Sequence, residues 1–63
     1  MPIEEMLEIV KQNLKIEDDS KDLLIEDVIR ECLSFCNLKE PPAELEPFIR
    51  RKVKTIIDYE AET

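Results

Sequence analysis

The stretch from Asp19 to Asn37 constrains the fold most, because it has a helix start, a helix end and a very wide apolar face. At about 100° per residue, eight apolar side chains fall within roughly half of the helix circumference. They are Leu24, Ile25, Val28, Ile29, Cys32, Leu33, Phe35 and Cys36. This arc is wider than the roughly 100° stripe that covers one neighbour. We therefore expect a central helix over residues 20–36 that contacts more than one other element, with Leu23 alone breaking the pattern.

The ends of this helix are also visible in the sequence. Asp19 or Ser20 can accept a hydrogen bond from the free amides of the first turn, and Asn37 suits a left-handed C-cap. The proline pair at 41–42 cannot continue a helix, so a sharp corner follows.

Two further helices are predicted on either side. The first spans about residues 3–14, where Glu8 and Lys11 form a favourable pair on the helix surface. The third spans about 47–60 and follows a short turn at 43–46, because Pro47 separates the two segments. A single all-α domain over 1–63 results, a three-helix bundle with the second helix central. The expected core is Leu24, Ile25, Val28, Ile29, Cys32, Phe35, Phe48, Val53 and Ile56.

Sixty-three residues bury too little apolar area to be more than marginally stable alone, so we expect oligomerisation or a missing remainder. The apolar runs are too short to span a membrane, and the first residues lack the pattern of a signal peptide. We expect a soluble protein made in the cytosol with reduced thiols.

The formal charge of −7 is unevenly distributed. Residues 1–46 carry 13 acids and 5 bases, whereas residues 47–63 carry 4 bases and 3 acids. An acidic surface disfavours nucleic acid and anionic membranes, since phosphate binding needs clustered bases. The basic run of residues 50–54 is the exception.

These charges give the candidate protein interface. Arg50, Arg51 and Lys54 share one face of the third helix, and a second copy could meet them with acids of the second helix. The acids in question are Glu26, Asp27 and Glu31. The simpler interpretation is a solvated helix face.

No cofactor, metal or catalytic residue is predicted. Cys32 and Cys36 lie one turn apart, but the chain has no His and too few ligands for structural zinc. The acidic run 17–22 lacks the Gly and the offset Glu of a calcium loop, and capping explains it. General acid–base catalysis would need a cleft or a His, so an enzyme is not expected.

The string LKIEDDSKDLLIEDVIRECLSFCN, followed after the proline corner by AELEPFIRRKVKTIIDYEAET, resembles the tailed-phage head–tail connector (adaptor) family of Gram-positive hosts. The similarity covers nearly the whole chain. Its markers are residues 14–16, 18–22, 44–47 and 57–60. These patterns are structural rather than catalytic.

The resemblance implies a structural protein of the virion, assembled in the bacterial cytoplasm. Family members form a ring, usually of twelve copies, between the portal and tail-completion proteins, and DNA passes through it. An acidic lining would let that DNA slide. Family members typically continue beyond the point that corresponds to Thr63, so we expect a shorter or truncated relative.

Two other functions stay open on the sequence. The first is a small cytosolic interaction module, monomeric or dimeric, that docks through the basic face of the third helix. The second is a helix-turn-helix DNA binder. The acidic charge and the absence of Asn and Gln from residues 43–63 disfavour sequence-specific DNA binding.

Overall fold

The computed structural model describes residues 1–62, and over this range it is a small all-α bundle. Helix α1 spans Ile3–Leu14 and α2 spans Asp22–Cys36; a 3-10 turn at Ala43–Leu45 then runs directly into α3, Glu46–Glu62. All three helices contact one another. The predicted all-α class is confirmed, and the short turn predicted at 43–46 is a 3-10 turn at Ala43–Leu45.

The core is built mainly by α2. Nine apolar side chains among residues 1–62 form one buried core cluster, and five of them belong to this helix. They are Met6 and Val10 of α1, Ile25, Val28, Ile29, Cys32 and Leu33 of α2, and Ile49 and Val53 of α3. Its wide arc is therefore shared between two neighbours.

The prediction that Phe35 and Phe48 belong to the core is wrong. Phe35 is 92% exposed and Phe48 is 59% exposed, while Leu24 and Ile56 are only partly buried. Phe35 and Phe48 line a groove between α2 and α3, whereas Leu24 and Ile56 pack against the core from its margin. In a three-helix bundle the interior accepts only the middle of a wide arc, so apolar residues at its edge stay on the surface.

Helices α1 and α2 each end at a non-glycine C-cap residue in the left-handed conformation. Asn37 has φ 58°, and the amide of Leu38 donates to the carbonyl of Leu33 at 2.9 Å, which confirms the predicted C-cap. Lys15 closes α1 in the same way, with φ 61°. A lysine is less tolerant of this region than asparagine.

The predicted N-cap of α2 is wrong. The helix begins at Asp22, and its N-cap position is Lys21, which makes no side-chain cap bond. The amide and hydroxyl of Ser20 both donate to Asp18 Oδ1 instead, at 3.1 and 2.7 Å. These bonds, the hydroxyl one first, lower the pKa of Asp18.

Lys11 holds α1 to the start of α2. Its side chain is buried, and Nζ lies 2.8 Å from Asp22 Oδ1 and 3.2 Å from Asp19 Oδ1. The hydrogen bond to Asp22 is the largest cause that raises the pKa of Lys11, against an opposing effect of burial. The expected pair with Glu8 is replaced by a contact between helices.

Candidate functional site: two surface grooves

The predicted basic face lies beside the end of α1 and forms one wall of a groove. This basic groove has a volume of about 560 Å³. Its lining includes Lys15, Arg50, Arg51 and Lys54, with Asp58 as the one carboxylate. Four cations against one anion give the groove a local charge of +3 on a chain of −7. Such a groove favours an acidic partner.

The three predicted cations differ in burial and in whether a carboxylate already pairs with them. Arg50 is half-buried, and its Nε lies 3.4 Å from Glu46 Oε2. Lys54 donates to Asp58 at 3.1 Å one turn further along α3. Arg51 is exposed, and within residues 1–62 it forms no ion pair. Of these three cations, Arg51 is therefore the one most available to a partner.

Lys15 also lines this groove, although the sequence pattern does not predict it. It lies in α1's C-terminal cap, more than thirty residues from Arg50 along the chain. Its backbone is left-handed, but the residue there is not a glycine, which is what would mark such a position in a sequence.

The predicted acidic partners lie on α2 but do not form one patch. At about 100° per residue, Glu26 and Glu31 are separated by about 140° around the helix. Glu26 pairs with Arg30, whose Nη2 lies 2.7 Å from Glu26 Oε1. Asp27 and Glu31 are exposed and, across the described residues, pair with no other side chain.

A second groove lies where the end of α2 faces the start of α3. This apolar groove has a volume of about 660 Å³, and the exposed rings of Phe35 and Phe48 form its walls. Leu45, Cys32 and Cys36 complete its apolar lining.

Two charges of opposite sign border the apolar groove. Glu31 lies on the α2 side, one turn before Phe35, and Lys52 lies on the α3 side, one turn after Phe48. Lys52 is exposed and unpaired among residues 1–62. This groove is not predicted from the sequence, because helical spacing assigns both rings to the core.

The two cysteines differ sharply in environment. Cys32 is buried and Cys36 is exposed, and both are free thiols. Burial raises the pKa of the Cys32 thiol, and the charge of Lys52 opposes that shift. Across residues 1–62, no three or more side chains of the metal-binding types come together.

No helix within the described range combines the length and apolar character needed to cross a membrane. Comparisons of the chain with protein-family models, curated proteins and solved structures find no match.

Proposed function

We propose that the protein is a structural subunit of a phage head–tail connector that assembles as a ring between portal and tail. The resemblance over nearly the whole chain suggests this role. The observation that carries it is the apolar groove, because two phenylalanine rings lie exposed on a chain of only 63 residues. Contiguous exposed apolar surface is a mark of a protein–protein contact.

The basic groove supports assembly through a second, electrostatic contact. A neighbouring surface rich in unpaired carboxylates would be attracted to its local +3 charge. Charges of this kind act mainly on the association rate and the register of docking, and salt screens them over about 8 Å at physiological ionic strength. Assembly should therefore be slower at high salt.

The basic groove also favours a second candidate function, a small cytosolic interaction module. A monomer could use this groove to bind an acidic segment of another protein. The difference between the two candidates is the size of the assembly, since the module would stay monomeric or dimeric.

The experiment is a mass measurement of the purified chain, alone and with an added phage portal protein, by native mass spectrometry across salt concentrations. A connector gives a ring of many copies that binds portal. A monomer or dimer under all conditions would refute the connector and favour the module. Tight binding to duplex DNA with a steep salt slope would refute both in favour of a DNA binder.

Arg51→Glu tests the part played by the basic groove. We expect slower assembly and a weaker dependence on salt, with no change in the helical circular dichroism because the side chain is exposed. Lys39→Glu is the matched control, since it makes the same charge change at an exposed position outside the groove. Equal effects of the two variants would show that only net charge matters.

A further inference from the structure

We propose that the apolar groove receives Leu23 and Asp27 from the α2 helix of a second copy. Each copy then carries the inserted residues and the groove that receives them at different places on its surface. This inference rests on the proposed function, because it names the contact that would join neighbours in the ring. We call the Leu23–Asp27 pair the knob.

Leu23 is the apolar residue of α2 that lies outside the core arc. It is 78% exposed, and the core does not use it. Asp27 lies one turn further along the same face, exposed and unpaired among the described residues. Arg30, the next charge on this face, is held by Glu26 at 2.7 Å. The knob therefore presents one apolar side chain followed after one turn by one free carboxylate.

The α3 side of the groove presents the complementary pattern at the same spacing, while Glu31 borders the α2 side. Phe48 is followed after one turn of α3 by Lys52, an exposed and unpaired cation within residues 1–62. Residues four apart on a helix lie about 5–6 Å from each other. When Leu23 of one copy packs between Phe35 and Phe48 of another, its Asp27 can thus reach Lys52.

The knob and the groove are separated on each copy. Leu23 and Phe35 are 12 residues apart on α2, which corresponds to about 18 Å along the axis and about 120° around it. A contact between two different patches is heterologous, and repeated contacts of this kind close into a ring when the rotation allows it. A two-fold pairing through one shared patch would stop at a dimer.

The decisive experiment mixes two defective variants of the full chain. Leu23→Glu removes the knob and keeps the groove. Phe35→Glu puts a charge in the apolar wall of the groove and keeps the knob. Both positions are more than three-quarters exposed, so we expect unchanged thermal melting by circular dichroism. Each variant alone should lose assembly, with self-association weakened about ten- to hundredfold by the loss of one buried apolar contact.

An equimolar mixture of the two variants should give a 1:1 complex of twice the monomer mass and nothing larger. One intact knob and one intact groove remain in the mixture, and they allow a single contact. A mixture that stays monomeric, or a Leu23→Glu variant that assembles like the wild type, would overturn the inference. Gln12→Glu, which makes the same charge change on the exposed side of α1, should assemble normally.

The charge pair has its own test. Asp27→Lys and Lys52→Asp should each weaken self-association about two- to fivefold, and the chain that carries both changes should recover it, because the pair is restored between copies. Additive losses in the double variant would refute the Asp27–Lys52 contact.

These results separate the inference from the proposed function. If the wild type forms a ring that binds portal but Leu23→Glu does so equally well, the knob is refuted and the connector stands. If the wild type never associates with itself or with portal, both the proposed contact and the proposed function are refuted.

Discussion

The opposite placement of Ile29 and Phe35 on one helix gives a direct test of the fold. Ile29 is fully buried, whereas Phe35 is 92% exposed. A chain of 63 residues is expected to have a total stability of about 3–9 kcal/mol. Ile29→Ala would remove about 2–5 kcal/mol and could unfold the protein. Ile29→Val deletes one methyl group and keeps the loss measurable.

We expect Ile29→Val to cost about 0.5–1.5 kcal/mol, from the lost transfer free energy and the small cavity left behind. In a domain of this size each kcal/mol lowers the melting temperature by about 4–8 °C. Phe35→Ala removes a ring that is almost entirely in water, so only about 0.2 kcal/mol of burial is lost. Alanine's higher helix propensity offsets that loss. The net change at Phe35 should lie within about 0.5 kcal/mol of zero.

The assay is urea unfolding followed by circular dichroism, at protein concentrations low enough for the chain to be monomeric. The two variants should give clearly separated midpoints, with Phe35→Ala close to the wild type. A loss above about 1 kcal/mol for Phe35→Ala would refute the exposed placement of the ring. A loss below about 0.3 kcal/mol for Ile29→Val would refute the packing of the core.

The ion pairs of Lys11, the two left-handed helix caps and the two thiols each have a measurable consequence. Hydrogen bonding to Asp22 raises the pKa of Lys11 above its ordinary value of 10.5, so the stabilisation from its ion pairs should be complete below pH 10.5 and disappear as the pH rises through the folded-state pKa. Urea midpoints measured from pH 9 to 12 should fall more steeply for the wild type than for Lys11→Met. Lys15→Gly should raise stability by about 0.5–1 kcal/mol by relieving the left-handed backbone, and Asn37→Gly should raise it less, because asparagine tolerates that region; equal gains in melting temperature would contradict this account. With a thiol reagent at neutral pH, Cys36 alone should react in the native state and both cysteines should react in urea, because Cys32 is buried. Mass spectrometry of the labelled protein identifies the site, and rapid native labelling of Cys32 would argue against its burial.

Local sequence was enough to place the helices. The presence of three helices and the left-handed Asn37 depend on interactions within a few residues, and the structure confirms both. The same is true of the basic face of α3, whose members share one side of a helix by periodicity alone. For these features the helical repeat of 3.6 residues does not depend on what the helix packs against.

Tertiary packing decided which apolar residues are core and what surrounds the charges. Phe35 and Phe48 fit the helical pattern as well as Ile29 does, yet the packing of α1 and α3 against α2 buries Ile29 and leaves the two rings outside. The partners of Lys11 and the presence of Lys15 beside Arg50 likewise depend on how two helices cross. Periodicity fixes the direction of a side chain relative to its own helix axis. Burial and charge pairing depend on the neighbouring helices, which the helical repeat does not encode.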